Sequence, residues 1–163
     1  MEFRVGDKVV HPQHGPGQIT GIEKRGAASY YVIDILEQRT TLYVPVLRAG
    51  EVGMRAAMSR ARMQRTLSIL RGRPRALPED HRRREEQLRT RLHRGDTLRV
   101  VGVVRDLTWR KEQGHLTAKD VELLRRGREI LAAEMALVSG DSVADASQRL
   151  EAAMDAGGQG MRT

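Results

Sequence analysis

The hydrophobic periodicity of this 163-residue chain changes once, near residue 56, and that change constrains the fold more than any other feature. Before it, short runs rich in Val, Ile, Thr and Tyr are separated by turns of Gly and polar residues, a pattern typical of antiparallel strands. After it, apolar residues recur at intervals of three or four, which predicts helices. The chain is therefore predicted to be a multidomain α+β protein.

The first domain, residues 1–55, is predicted to contain four or five short strands joined by short turns. Because a sheet this small must curl to bury one face and limit its edges, we expect a small antiparallel SH3/Tudor-like β-barrel. The stretch RVGDKVVHPQHGPGQITGIE places His11 and His14 among three glycines. We expect the glycines to form tight hairpin turns and the histidines to lie at a corner of the barrel.

The second domain, residues 56–156, is predicted to be all-α with about five helices, followed by a disordered tail at 157–163. The last helix is expected to end near Met154. Asp120 follows a threonine by three residues, as in a capping box. Three side chains are expected to accept a hydrogen bond from the first turn of a helix, as N-caps: Ser59, Asp96 and Thr117.

Several kinds of site are excluded by what the sequence lacks. It has no cysteine, which excludes disulfides, thiol catalysis and thiolate metal ligands. His11 and His14 have no acidic cluster beside them that would complete a metal site. The loop HGPGQ lacks the ending of a phosphate loop and is followed by a predicted strand instead of a helix. With no catalytic motif present, we predict no metal, no cofactor and no enzymatic activity.

The cellular compartment is also indicated by sequence features. No apolar run approaches the roughly 20 residues that span a bilayer. The N-terminus MEFRVGDK begins with charges and leads directly into a strand pattern, so no signal peptide is predicted. We expect a cytoplasmic protein without membrane contact.

Basic residues are in excess and unevenly distributed. The net charge is +8, from 29 Lys and Arg against 21 Asp and Glu, which favours a polyanionic partner. From Arg71 to Arg94 there are nine arginines against four acids, spread over a linker bounded by prolines and the helix after it. A solvated, partly ion-paired helix face is the alternative explanation. The residues predicted to hold DNA phosphates are Arg75, Arg82, Arg83 and Arg84.

The barrel carries a different surface. Its exposed positions mix both signs of charge, as in Glu23, Lys24, Arg25 and Arg39, which suits a protein partner better than a polyanion. An edge strand of the barrel could extend the sheet of such a partner. In the helical domain, Trp109 is the only Trp and is expected either to seal the core or to present an aromatic face for stacking.

The order of several motifs resembles that of CarD/CdnL family proteins from residue 2 to about residue 140. The N-terminal motifs are VGDKVV, HPQHGPG and YYVIDI, with YVP at 43–45 and VGMR at 52–55. The C-terminal motifs are HRGD, VVRDL and LTAKDVELLRRGREILAAEMAL. Each motif alone is weak, but their combined order is highly specific.

The resemblance implies an N-terminal Tudor-like domain that binds the β-subunit lobe of bacterial RNA polymerase. It also implies a helical domain that contacts promoter double-stranded DNA at the upstream edge of the melted bubble, without strong sequence readout. Such a protein stabilises the open complex and is not an enzyme. We expect it to be a monomer associated with the nucleoid.

Individual residues can be assigned by position within the resemblance. Arg25 matches a basic polymerase-contacting position, and Tyr43 falls where relatives often have another contacting Arg. Lys24 and Arg39 are assigned to the same polymerase-binding surface.

In the DNA-facing helix, Arg83 and Arg84 match an Arg-Arg pair of the family. His81 falls where most relatives carry a Trp that wedges into the minor groove, and Glu86 where some carry a DNA-contacting Lys. Histidine offers less apolar area than indole, and Glu repels phosphate. Two alternatives therefore stay open: a general nucleic-acid-binding protein, and a polymerase-binding adaptor with reduced DNA contact.

Overall fold

The N-terminal part of the computed structural model, which describes residues 2–94 and 96–160, is one antiparallel sheet. Five strands run in the order β4-β3-β2-β1-β5. They are β1 (Lys8–His11), β2 (Gly15–Arg25), β3 (Ala28–Ile35), β4 (Thr40–Pro45) and β5 (Arg55–Ala56). The antiparallel strands confirm the predicted N-terminal β domain. The strand pairing has β4 and β5 as its two edges, so the closed barrel that the sequence predicted is not shown.

The core of the sheet lies on one face because side chains alternate along each strand. Tyr31, Ile33 and Ile35 of β3 are buried, whereas the residues between them are not. Phe3 packs edge-to-face on Tyr31 with ring centroids 5.8 Å apart, and its backbone N–H donates to the Tyr31 hydroxyl. The buried Tyr31 hydroxyl thus has a hydrogen-bond partner within the core.

The three glycines of the opening stretch have three different roles. Gly15 has a φ of +85° and is the first residue of β2, directly after the turn at residues 12–14, so it supplies the positive φ predicted for the hairpin. Gly17 lies so close to β3 that a Cβ there would be 2.6 Å from the backbone oxygen of Asp34. Gly21 follows an irregularity in the β2–β3 pairing that begins at Ile19. Only the first of the three therefore has the positive φ that a hairpin turn requires.

The described part of the chain contains six helices, one more than predicted. They are α1 (Ala49–Val52), α2 (Arg60–Arg71), α3 (His81–Arg94), α4 (Thr97–Glu112), α5 (Ala118–Ser139) and α6 (Val143–Gly160). The additional helix is α1, a single turn between β4 and β5 that follows a 3-10 turn at Val46–Arg48. One turn is too short for hydrophobic periodicity to reveal. None of the described helices is both long and apolar enough to cross a membrane.

The end of α6 also differs from the prediction. The helix was expected to end near Met154 with disorder from residue 157, but it continues to Gly160; residues 161–163 lie outside the described part. Gly157 packs against the end of α2, where a Cβ would be 3.0 Å from the Leu70 carbonyl oxygen. This tertiary contact offsets the low helix propensity of glycine.

The predicted N-caps are confirmed. The side chains of Ser59, Asp96 and Thr117 each accept a hydrogen bond from the backbone N–H three residues later. At Thr117 the capping box is complete, because the Asp120 carboxylate also accepts from the Thr117 backbone N–H at 3.0 Å.

A buried carboxylate joins the sheet to the helices. Glu134 of α5 is fully buried and accepts two hydrogen bonds from the Arg55 guanidinium of β5, at 2.8 and 2.9 Å. It also accepts from the Met58 backbone N–H and the Thr97 hydroxyl. We call this network the Glu134 junction. A buried charge is tolerated only when it is paired and hydrogen-bonded, and Glu134 meets both conditions.

Candidate nucleic-acid and protein-binding surfaces

The last residue of α2, the linker that follows it and the first turn of α3 together carry five exposed arginines. Among residues 2–94 and 96–160, none of the five takes part in an ion pair, in contrast to most arginines of α3, α4 and α5. Their guanidiniums are therefore available to an anionic partner. We call them the linker arginines: Arg71, Arg73, Arg75, Arg82 and Arg83.

Arg84 is not part of this surface, so its predicted role as a DNA contact is wrong. It is 1% exposed, and its Nε and Nη2 donate to the two carboxylate oxygens of Asp120 at 3.0 Å each. Nη1 donates to the backbone oxygens of Pro78 and Glu79. The helical period explains this orientation, because Arg84 shares the buried face of α3 with Leu88, four residues on.

Asp120 carries the negative charge of this buried pair. Burial alone would raise the pKa of its carboxyl, but hydrogen bonds from the Arg84 side chain and from Thr117 lower the pKa below the usual value. Asp120 thus caps α5 and holds the start of α3 at once. The pair fixes the place from which Arg82 and Arg83 project.

A second buried carboxylate, which sequence reasoning missed, anchors the linker itself. Asp106 of α4 is 1% exposed, and its Oδ1 accepts from the Arg75 backbone N–H and from Arg105 Nε, both at 2.9 Å. Arg91 Nη1 lies 3.5 Å from Oδ2. Arg91 reaches it by crossing α4 at Gly102, where any Cβ would clash with the guanidinium. The sequence did contain one indication of this burial: Asp106 is an acid next to the apolar stripe of α4.

The first turn of α3 is open to solvent apart from Arg84. His81 is exposed, as is Glu86 one turn later. Asp80 precedes the helix, and its Oδ1 accepts from the Arg83 backbone N–H at 2.9 Å. That hydrogen bond is the main reason why the pKa of Asp80 is lowered. The structure thus places His81, Arg82 and Arg83 together at an exposed, capped helix end.

Trp109 is half-buried at the edge of the helical domain. It lines a shallow groove together with Leu70 of α2, Pro74 of the linker and Met154 and Gly157 of α6. Of the two roles that the sequence left open, the packing role has direct support, because these neighbours come from three other elements.

The second predicted surface lies on the outer face of the sheet. The Arg25 guanidinium carbon is 4.1 Å from the centroid of the Tyr43 ring, a cation–π contact, and Arg25 Nε is 3.1 Å from Glu23 Oε1. Tyr43 belongs to the edge strand β4. Leu47, in the 3-10 turn that follows, is 94% exposed. We call Arg25, Tyr43 and Leu47 the β4 surface; sequence reasoning did not single out Leu47.

The other two residues assigned to that surface lie elsewhere. Lys24 precedes Arg25 on β2, so strand alternation directs the two side chains to opposite faces. Arg39 is in the β3–β4 turn with a φ of +46°, at the opposite end of these strands from Arg25. The structure thus brings two of the four predicted residues together.

The histidines of the opening stretch form a turn. His11 is buried, and its Nδ1 accepts from the backbone N–H groups of Gln13 and His14, at 3.2 and 3.3 Å. Burial, and secondarily the neighbouring His14, lowers the pKa of His11. Within the described residues no group of three or more His, Asp or Glu side chains is placed to hold a metal ion.

Two family models match the chain in succession. The model for the CarD-like/TRCF RID domain matches residues 3–58, and the model for the CarD C-terminal domain matches residues 65–151. The chain is also similar to a Bacillus subtilis (strain 168) protein named "Putative transcription factor YdeB", with 26% identity over 144 residues that cover 85% of this chain and 93% of that protein. The chain belongs to the CarD family, whose members are transcription regulators that interact with RNA polymerase.

Proposed function

We propose that this protein binds the β subunit of RNA polymerase through the β4 surface, contacts promoter DNA through the linker arginines, and so stabilises the open complex. It acts in the cytoplasm as a monomer and without enzymatic activity. The observation that carries the proposal is the set of five exposed arginines, free of ion pairs among the described residues, in a chain with both CarD domains.

The polymerase-binding half of the proposal is supported by the edge strand. β4 pairs on one side only, with β3, so its other edge has backbone N–H and C=O groups available for a strand of the partner. The β4 surface adds an aromatic ring, a guanidinium and an exposed leucine beside that edge. Tyrosine and arginine are among the residue types that contribute most to the binding energy of protein interfaces.

The DNA-binding half is supported by charge and by anchoring. Guanidiniums bind phosphates independently of sequence, which suits a DNA contact without strong sequence readout. The backbone of the linker is held by Asp106 at Arg75, and the start of α3 by Asp120 through Arg84. Holding the backbone in place reduces the entropy that the arginines lose on binding DNA.

A substitution of two linker arginines tests the proposal. With Arg82→Ala/Arg83→Ala we expect a several-fold shorter open-complex lifetime. We also expect a log–log salt dependence of DNA binding that is less steep by about 0.9 for each phosphate that the variant no longer binds. The matched control is Arg125→Ala/Arg149→Ala, which removes the same charge from one exposed and one partly exposed position, both ion-paired. Equal effects of the two double variants would show that only net charge matters.

A second candidate function is a polymerase-binding adaptor with reduced DNA contact. The observation that favours it is that the Arg84 guanidinium is buried and so does not face DNA, while the nearby exposed residue Glu86 is negatively charged. An unchanged open-complex lifetime in Arg82→Ala/Arg83→Ala, with polymerase binding retained, would select this function. DNA affinity that is equally strong without polymerase would instead favour a general nucleic-acid-binding protein.

A further inference from the structure

A large cleft separates the turn between β1 and β2 from the helical domain. It has a volume of about 700 Å³, within the range of ligand-binding sites. One wall is formed by residues 11–15 and α1, and the other by the end of α3 and the middle of α5. We call it the interdomain cleft. It contains none of the linker arginines and none of the residues of the β4 surface.

The charges that line the interdomain cleft are opposite in sign to the protein as a whole. Four carboxylates face it, from Glu37, Glu51, Asp96 and Glu129, against two guanidiniums. One of these guanidiniums belongs to Arg55, which is already paired with the buried Glu134. In a chain of net charge +8, such a concentration of negative charge attracts cations and repels nucleic acid.

Glu37 and Glu51 are the two carboxylates most available to a ligand. Both are exposed, and within the described residues neither takes part in an ion pair, whereas Glu129 is paired with Arg125 and Asp96 with Arg62. A cationic ligand would therefore gain two new ion pairs at these positions without displacing an existing one.

A buried histidine supplies an observation independent of charge. His11 lines the cleft, is 93% buried, and uses Nδ1 to accept two backbone hydrogen bonds. Its proton is therefore on Nε2, which has no hydrogen-bond partner among the described residues. Among the described residues, the fully buried side-chain atoms without a partner do not include Nε2. This N–H group is therefore accessible from the cleft and can donate to a carbonyl oxygen of a ligand.

The cleft also has an apolar part. Val52 of α1 is 42% exposed, and Leu92 and Ile130 are half-buried on the facing helices. Lys and Arg side chains combine an aliphatic stem with a charged end, and so match an apolar wall next to carboxylates.

We propose that the interdomain cleft binds an extended basic peptide segment of a partner protein. Lys or Arg side chains of the segment lie along Val52 and Ile130 and pair with Glu37 and Glu51. A backbone carbonyl oxygen of the segment accepts a hydrogen bond from His11 Nε2. This site does not depend on DNA contact or on the β4 surface.

A peptide titration of the full chain tests the proposal. The probe is a dye-labelled, N-acetylated octapeptide of alternating Lys and Ala, and binding is followed by fluorescence anisotropy. We expect saturable binding that weakens by about tenfold in Glu37→Gln/Glu51→Gln. The matched control is Glu86→Gln/Glu122→Gln, which removes two exposed carboxylates outside the cleft that have no ion pair among the described residues. We expect less than about a twofold change in this control, because distant exposed charges are screened.

Nitrogen NMR of the histidines provides the second measurement. The peptide is expected to shift the His11 Nε2 resonance and to leave that of His115, an exposed residue outside the cleft, unchanged. Equal weakening in both double variants would overturn the proposal, as would absence of binding at millimolar peptide. Self-association of the protein that Glu37→Gln/Glu51→Gln abolishes would also overturn it, because a second copy of the chain would then be the occupant.

Discussion

The Arg84 guanidinium donates two hydrogen bonds of 3.0 Å to the two carboxylate oxygens of Asp120, and both side chains are buried. We predict that Arg84→Ala or Asp120→Ala alone lowers the free energy of unfolding by about 3 to 5 kcal/mol, because either change leaves an uncompensated buried charge. Replacing both with apolar residues, as in Arg84→Met/Asp120→Leu, should restore much of the loss. Urea denaturation measures all three variants.

The control for this pair is Arg89→Ala on the same helix. Arg89 pairs with Glu85 four residues earlier, but both are partly exposed, so the loss should stay below about 0.5 kcal/mol. A loss in Arg84→Ala no larger than in Arg89→Ala would contradict the assignment of Arg84 to the interior of the protein.

The same pair predicts how stability depends on acid. The folded-state pKa of Asp120 lies below its ordinary value of 3.8, so its contribution to stability is complete above that pH and is lost as the pH falls through the lower folded-state pKa. We therefore expect the unfolding free energy of the wild type to fall more steeply below about pH 4 than that of Asp120→Asn. Parallel pH profiles for the two proteins would refute this.

His11 predicts a second pH dependence, at higher pH. Burial, aided by the neighbouring His14, keeps the folded-state pKa below 6.5, so the unfolded chain binds the proton first as the pH falls. The contribution of His11 to the free energy of unfolding should thus be complete above pH 6.5 and decline below it. His11→Asn, whose amide oxygen can accept from the same turn, should remove this decline, whereas His115→Asn at an exposed site should not. Thermal unfolding on either side of the ordinary histidine pKa, at about pH 7.5 and about pH 5.5, distinguishes them.

Asp106 is predicted to hold the linker in place. Asp106→Ala removes the acceptor of the Arg75 backbone N–H, and we expect hydrogen exchange at that amide to quicken by about tenfold, the equivalent of one hydrogen bond. Asp106→Asn keeps an oxygen at this position and should preserve most of the protection. If Arg75 exchanges equally fast in the wild type and in both variants, Asp106 does not anchor the linker.

The β4 surface gives a prediction about binding. Tyr43→Ala removes the ring beneath Arg25, and Leu47→Asp places a charge at an exposed apolar position. Each should weaken binding to isolated RNA polymerase by about tenfold or more without lowering the thermal stability of the protein. Arg39→Ala, at the other end of the strands, serves as the control and should bind normally. Normal binding by Tyr43→Ala and Leu47→Asp would exclude this face as the polymerase contact.

Features fixed by neighbours in sequence were predictable, and features fixed by distant contacts were not. The caps at Ser59, Asp96 and Thr117 depend on residues three positions away, and all three were predicted. The burial of Arg84 depends on Asp120, 36 residues later, and an arginine after a proline-bounded linker resembles a phosphate contact. Arg84 is four residues before Leu88, and this spacing places both side chains on the same inward face of α3.

Two further differences have the same origin. α6 continues past its predicted end because Gly157 packs against α2, which lies far away in sequence. Asp106 was overlooked because its partners come from the linker, from α3 and from the preceding residue of its own helix. Local sequence patterns thus predict where helices begin, whereas the pairing of buried charges depends on how distant elements pack together.

The Glu134 junction has a mechanical consequence. Its hydrogen bonds come from β5, from the segment before α2 and from the start of α4, so the sheet cannot swivel against the helices without exposing a buried carboxylate. The strand edge at β4 and the backbone that carries the linker arginines are therefore held at a fixed separation and angle. Under the proposed function, polymerase bound at one of these surfaces would therefore fix the position along the DNA at which the other makes contact.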